Sequence, residues 1–341
     1  MKSTTIAVDL AKNVFQVAVS RQPGKVAESH RLSRARFLRF FSDRKPAIVL
    51  LEACGTAHFW GRKLQSLGHE VLLLPPSHVR PYVRRNKTDQ ADTKGLLEAH
   101  RNDQIHPVPV KSIAQQTLTA LHRLRSAWVA DRTARINLVR GLLRELGLTI
   151  PVGSSHVVPQ AWALLEDAKA EIPDPLRLAL AEACLEIRDF EARILTIEKQ
   201  LRILATQLPV VKRLESIPGI GIITATALVG FVGEVKRFPT GRHFASFLGL
   251  TPREHSSGMR RRLGAISKRG DVYLRTLLIH GARAVLVAAK NKKSVDHLHA
   301  WALQVEKRRG HNKAATALAN KMARLAWSVW RNDSTYNSPA S

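Results

Sequence analysis

The chain has 341 residues, 45% of them hydrophobic, which is enough for real cores in two domains with helical connectors and too much for a disordered basic tail. Lysine and arginine outnumber aspartate and glutamate by 54 to 27, a net charge of +27, so a polyanion such as DNA or RNA is the expected partner, although a ribosomal or architectural protein would share that charge. Cys54 and Cys184 form no zinc-type pattern or disulfide framework. With no signal-peptide layout and no apolar run of about 18 residues, a cytoplasmic protein without a membrane partner is expected.

Residues 4–20 alternate with period two and predict two strands turning near Ala11-Lys12-Asn13; a third extended segment covers 25–32. A helix through Phe37, Leu38, Phe40 and Phe41 follows. The apolar run Ala47–Glu52 reads as a strand buried on both faces, 58–67 as a helix ended by Gly68, and 70–74 as a short strand closed by Pro75-Pro76. Next comes a helix over 89–101, opened by Lys87-Thr88-Asp89-Gln90-Ala91-Asp92. Asp89 and Asp92 lie three apart and in register with Leu96 and Ala99, so both are expected to point inward. The plain alternative is that they cap the helix and complement its dipole.

Three antiparallel-type strands followed by helix, strand, helix, strand and helix match an RNase-H-like sheet. Asp9 sits mid-strand with small Ala7 and Ala11 on its face, leaving room for an ion, and Glu52 ends the buried strand. Carboxylates at the first strand, fourth strand and later helix together suggest a site for a hard cation such as Mg²⁺. Arg84, Arg85 and Lys87 beside it suggest phosphate contacts.

Residues 111–147 are helical, with Leu121, Leu124, Trp128, Val139, Leu142 and Leu146 on one side. Arg123, Arg125, Arg132, Arg135, Arg140 and Arg144 offer either a solvated face or a phosphate rail. Residues 151–159 read as a linker. A second long helix, about 176–208, carries a heptad seam from Leu176 through Cys184, Ile194 and Leu201 to Leu208, predicting a coiled coil with the earlier helix or with another subunit.

Ser216-Ile217-Pro218-Gly219-Ile220-Gly221 resembles a helix-hairpin-helix turn, in which Gly219 and Gly221 would let backbone N–H groups approach a phosphate; an ordinary helical hairpin is the alternative. Between Pro252 and Gly270 six basic residues, Arg253, Arg260, Arg261, Arg262, Lys268 and Arg269, face one acid. A serine of Ser256-Ser257-Gly258 could there attack a phosphate held by cations. Asp271 caps an apolar helix to about residue 289, Ser294 caps another ending near Gly310, and residues 312–330 form the last helix, with Leu318, Met322, Leu325 and Val329 as a stripe. His297 and His299 lie two apart on a helix and make poor metal partners.

These residues resemble the DEDD transposases of insertion-sequence family 110, relatives of the pilin-gene invertases. The most specific pieces are Asn86–Asp92, Ser216–Gly221, Gly249-Leu250-Thr251-Pro252-Arg253, and Ser257-Gly258 followed by Ser267-Lys268-Arg269-Gly270. The resemblance implies a RuvC-like (RNase-H-fold) α/β domain over 1–110, a helical coiled-coil connector over 111–208, and a mainly α transposase domain over 209–331; the polar last residues, 332–341, are expected to be disordered. It maps the acidic quartet onto Asp9, Glu52, Asp89 and Asp92 as Mg²⁺ ligands and the catalytic serine onto Ser257, with Ser256 adjacent and still open. It also implies an oligomer, expected to be a dimer or tetramer, that recombines donor and target DNA with a non-coding bridge RNA; the mechanism expected is a 5′-phosphoserine intermediate with Arg260–Arg262 as phosphate clamps. A hydrolytic nuclease of the Holliday-junction-resolvase type is the alternative enzyme, and a non-catalytic nucleic-acid-binding protein the alternative without chemistry.

Overall fold

The computed structural model describes residues 4–83, 88–291 and 296–337. It divides into two units, Met1–Ala114 and Gln115–Ser341. The first is built on a five-stranded mixed sheet of order β3-β2-β1-β4-β5. Its elements are β1 (Thr5–Leu10), β2 (Val14–Ser20), β3 (Glu28–Ser33), α1 (Arg34–Ser42), β4 (Ile48–Glu52), α2 (Ala57–Ser66), β5 (Glu70–Leu74), the single turn α3 (Pro76–Val79) and α4 (Asp89–His100). The first three strands pair antiparallel, as their short turns require, and β4 and β5 join parallel through α1 and α2.

Strand alternation sorts the sheet's two faces. Ile6, Val8, Phe15, Val17, Val49 and Leu51 face α1 and α2, where Phe15, Phe37 and Trp60 meet edge to face. Ala7, Ala18, Leu50 and Leu74 face α4 and pack with Leu96, Leu97 and Ala99. Of the two small residues that flank Asp9 on its face, Ala7 is covered by α4 and Ala11 is exposed.

The second unit is mostly helical. It comprises α5 (Ile113–Glu145), α6 (Val157–Glu166), α7 (Asp174–Thr206), α8 (Pro209–Glu215), α9 (Ile222–Val232), α10 (Gly241–Phe247), the hairpin β6 (Pro252–Glu254) and β7 (Leu263–Ile266), then α11 (Val272–Lys290), α12 (His297–Arg309) and α13 (His311–Arg331). α5 and α7 run antiparallel, joined by the ion pairs Arg125–Glu198 and Arg135–Glu186 and by the packing of Ile136, Val139 and Leu143 with Leu180, Cys184 and Ile187. The heptad seam of α7 thus has a partner within the chain. Leu124, read as part of the apolar side of α5, is instead exposed. The expected linker is part helix, because Val157 and Val158 bury apolar side chains in the first turn of α6.

Three further expectations are revised. Ser294 lies outside the described residues, and the cap of α12 is Asp296, which accepts from the His299 N–H at 2.9 Å. Residues 332–337 are tied down: Tyr336 N–H donates to Ser216 Oγ at 2.7 Å, and Asp333 pairs with Arg213. Finally, α11 has the length and composition to cross a membrane. Here it is a core helix, with Leu274, Leu278, Ala282 and Leu286 fully buried.

The core of the second unit depends on a close backbone crossing. Gly219, at φ +84°, lies against Gly281 of α11, and a Cβ on Gly281 would sit 2.0 Å from the Gly219 carbonyl oxygen. We expect Gly281→Ala to cost about 2–4 kcal/mol in chemical denaturation. Gly221→Ala, where a Cβ meets nothing within 4 Å, should cost under about 1 kcal/mol.

A buried histidine adds a pH dependence. His122 bonds Tyr273 Oη and Thr226 Oγ1, both at 3.0 Å. Thr226 spends its hydrogen on the Ile222 carbonyl at 2.6 Å, so His122 Nε2–H donates to Thr226 and Nδ1 accepts from Tyr273. Burial, helped by the charge of Arg125, pushes the imidazole pKa down from 6.5 to about 4. Because the folded value is the lower one, this contribution is complete above pH 6.5 and drains away as pH falls toward 4, about 3 kcal/mol in all. Denaturation series from pH 7 to 4 should show that loss in the native chain and much less of it in His122→Gln.

Candidate functional site

The acids that the sequence singled out fall at the edge formed by the C-terminal ends of the interior strands β1 and β4, which carry Asp9 and Glu52, and on the first turn of α4, which carries Asp89 and Asp92. Asp9 pairs across β1 and β2 with Gln16, and Gln16 pairs across β2 and β3 with Arg31. Directly opposed residues share a face, so Asp9, Gln16 and Arg31 form a row on the face that α4 covers. The parallel register of β1 and β4 runs Ala7↔Leu50 and Val8↔Leu51. Continued by one residue it sets Asp9 level with Glu52, on adjacent strands about 4.8 Å apart. Beyond Glu52 the chain turns away, with the Cys54 N–H donating back to the Glu52 carbonyl at 2.8 Å.

The opening of α4 separates capping from chemistry. Thr88 is the cap, its Oγ1 accepting from the Ala91 N–H at 3.2 Å. Asp89 and Asp92 are therefore not needed as caps, although both still complement the dipole in the first turn. Asp92 is half-buried on the sheet side, whereas Asp89 is exposed, against the expectation that both point inward. Asp89 lines a cleft of about 380 Å³ with Gln16, Ser29, His30 and Arg31. Gln16 is itself buried and donates to Ser29 Oγ at 2.9 Å. Gln16, Ser29 and Arg31 were not expected at this site; the tight turn at 11–13 and the period-two alternation were the signals that place them beside Asp9. Among the described residues no three acidic, histidine or cysteine side chains close into a metal-sized cluster.

Ser257 lies at the other candidate centre, the tip of the β6–β7 hairpin. A tight turn joins it to Arg260: the Arg260 N–H donates to the Ser257 carbonyl at 3.2 Å, with Gly258 at φ +54° between them. The two serines differ. Ser256 Oγ donates to Glu254 Oε1 at 2.7 Å and accepts from the Arg262 N–H at 3.1 Å, so its hydroxyl holds the hairpin together. Ser257 Oγ is exposed and has no hydrogen bond among the described residues. Arg261 pairs with Glu254 at 3.4 Å, whereas Arg260 and Arg262 are exposed without a carboxylate among the described residues.

The base of this hairpin is rigidly held. A Cβ on Gly249 would sit 1.9 Å from the Arg269 carbonyl oxygen, so only glycine permits the two backbones to approach this closely. Thr251 and Ser267 bond across the base at 2.8 Å, and Lys268, at φ +55°, donates its N–H to the Gly249 carbonyl at 3.2 Å. Arg275 of α11 is buried and donates to the carbonyls of Leu248 (3.2 Å) and Arg269 (3.3 Å), tying both ends of the segment to the helical core.

The remaining basic positions divide. Arg84, Arg85 and Lys87 lie outside the described residues. Arg125 is a structural cation, bound to Glu198 at 2.7 Å with both side chains largely buried, and Arg140 holds the carbonyls of Ile150 and Gly153. Arg132 is half-buried with its Nε shielded from solvent. The expected phosphate rail on α5 therefore reduces to exposed Arg123 and Arg144. Gly219 is packed against α11, so of the two turn glycines only Gly221, at the exposed start of α9, is open to a ligand.

A mixed sheet carrying carboxylates at one edge, followed by a helical unit that presents a serine among arginines, has the attributes of a DNA-cutting and DNA-joining enzyme. Residues 211–299 match the family described as Transposase IS116/IS110/IS902, and residues 6–147 match the DEDD transposase family of IS110. The chain is 43% identical over 98% of its length to a Pseudomonas aeruginosa protein described as "Probable family 20 transposase", covering 99% of that protein. It is 38% identical over 97% of its length to the transposase for insertion sequence element IS1111A of Coxiella burnetii, covering 90% of it. It is also similar to the pilin gene-inverting protein of Moraxella bovis, at 24% identity over 76% of the chain and 75% of that protein. The chain belongs to the IS110 family of transposases. Membership of the DEDD type implies dependence on a divalent metal.

The division of the arginines is testable through salt dependence. Arg125→Met should lower stability by about 2 kcal/mol, since it leaves Glu198 only the longer pairing with Arg202 at 4.0 Å, and should leave the slope of DNA affinity against salt unchanged. Arg262→Met should leave stability unchanged and reduce that slope by about 1.

Proposed function

We propose that this transposase cuts and rejoins DNA through a phosphoserine intermediate in which Ser257 is the nucleophile. The observation that carries the reading is the contrast at the hairpin tip, where Ser256 is spent on Glu254 while Ser257 is exposed and unbonded beside Arg260 and Arg262. Ser257 Oγ attacks the scissile phosphorus, forming one P–O ester as the bond to the 3′ oxygen breaks. The leaving oxygen takes a proton and becomes a free 3′-OH, and the 5′-phosphate stays on the protein. Reversal onto a different 3′-OH rejoins the DNA without net hydrolysis. Arg260 and Arg262 hold the phosphate and offset the charge that develops on it. Lys268 and Arg269, at the return of the hairpin, extend that cationic surface.

The strand order and parallel-antiparallel pairing of the first unit support an RNase-H-like (RuvC-like) scaffold at 1–110, and the antiparallel α5–α7 pair supports a coiled-coil connector at 111–208 before the transposase domain at 209–331. The acidic edge fits a hard cation by donor chemistry, four carboxylates of which Asp9 and Glu52 are level on neighbouring strands. Those two, with Asp92 and Asp89 from α4, would hold Mg²⁺, which when bound supplies Lewis-acid polarisation of the phosphate. The chain's own residues do the rest: α4 carries Asp92 on its half-buried side and Asp89 at the cleft that Gln16 lines, and Gln16 stays bonded to Ser29. We further propose that the protein works in the cytoplasm as a homo-oligomer guided by a non-coding bridge RNA, a reading supported by its family and by its +27 charge.

Ser257→Ala should abolish the protein–DNA adduct seen on a denaturing gel, whereas Ser256→Ala should retain it with activity lower by about threefold to tenfold, the hairpin having lost two hydrogen bonds. Cleaved DNA with no adduct from the native protein would instead assign the reaction to water and the acidic edge, the hydrolytic alternative. For the acids, Glu52→Gln and Asp9→Asn should each lower the rate by about a hundredfold or more with the fold intact; full activity in either variant removes the metal role.

A further inference from the structure

We propose that the groove between the β6–β7 hairpin and helix α13 holds unpaired nucleotides of the DNA strand being cut. This rests on the recombinase reading above and extends it to a binding site away from the reacting atoms. The groove has a volume of about 1030 Å³, at the upper end of the range for small-ligand sites, and so has room for a nucleotide. Its walls are apolar: Leu250 and Ile266 on the hairpin side, Ala317 and Trp301 on the helical side.

The rim has the opposite character. Lys313, Lys321 and Arg324 line it from α13 and have no carboxylate partner among the described residues. From Lys313 to Arg324 they extend about 16 Å along the helix. Lys321 Nζ stands 4.4 Å from the centre of the Trp301 ring, and burial, with Arg324 nearby, pushes its ammonium below the ordinary lysine range. An arriving anion would relieve that cation. Asn320, also in the lining, donates Nδ2 to the Leu250 carbonyl at 3.1 Å, which leaves its amide oxygen to accept from a base edge. Lys321 and Arg324 continue into a second cleft of about 520 Å³ that Arg242 also lines.

An apolar floor beneath a cationic rim suits an unpaired strand better than a duplex. A duplex offers its phosphates but hides its base faces, whereas an unpaired strand exposes both. The position agrees with the chemistry. Ala265, in the groove wall, lies five residues along the hairpin from Arg260, which bridges to Ser257; that is about 16 Å of extended chain. The nucleotides held would be those flanking the scissile phosphate.

The test uses full-length protein and fluorescence anisotropy with three labelled probes: a ten-nucleotide oligothymidylate, the same length of oligouridylate, and a DNA duplex. Ala317→Trp, which fills the floor, and Lys321→Gln, a surface change that leaves the floor open, should each weaken oligothymidylate binding about tenfold while changing duplex binding less than about threefold. Equal losses on both DNA probes would reduce the groove to general phosphate attraction and overturn the proposal, as would unchanged oligothymidylate affinity in both variants. Tighter binding of oligouridylate, lost in the same variants, would overturn the assignment to DNA. A native protein that binds neither DNA probe would overturn the recombinase reading along with it.

Discussion

The register of β1 against its two neighbours is the constraint on which the acidic edge depends. Asp9 lies across from Gln16 and, one step beyond the last paired residues, level with Glu52. A slip of one residue would turn Asp9 into the aromatic layer around Phe15 and Phe37 and bring Val8 to the α4 side, an exchange that no core tolerates. Burial on both faces, by Val8 and Leu51 on one and Ala7 and Leu50 on the other, therefore fixes where the carboxylates stand. The energy that holds them is hydrophobic and comes from residues with no chemistry of their own.

The serine centre is held differently. Its hairpin is exposed almost throughout and has no core. What locates it is the base, where the Gly249 and Arg269 backbones meet and Arg275 gathers the Leu248 and Arg269 carbonyls. Burying a guanidinium is costly unless its hydrogen bonds are satisfied, so this clamp is strong where it sits. The tip has no comparable hold on the helical core among the described residues. Within the hairpin Ser256 and Glu254 cross-link the two arms and leave Ser257 uncommitted.

The net charge of +27 overstates the cation available to a nucleic acid. Arg125, Arg135, Arg140 and Arg275 are spent on carboxylates and carbonyls inside the fold. Those free of carboxylates among the described residues include Arg260 and Arg262 at the hairpin and Lys313, Lys321 and Arg324 on α13. On α5 the exposed cations reduce to Arg123 and Arg144.

Much of this was legible in the chain itself. The five strands of the first unit and the long helices follow from periodicity, because backbone geometry repeats locally, whereas the β6–β7 hairpin, whose strands are short and exposed, carries no such signal. The first turn of α6 was not legible, since Pro151 and Gly153 mask apolar residues that become helical only by packing on α7. Nor were the roles of Gly219 and Arg125: a glycine at a turn and an arginine on a helix look alike whether they meet a ligand or a neighbour. That Ser256 is bonded and Ser257 free, that Gln16 and Arg31 join the acidic edge, and that a basic groove runs beside the hairpin depend on contacts between residues far apart in the chain. Local sequence determines which residue types are present and which face they take; only tertiary packing decides which of them remain uncommitted.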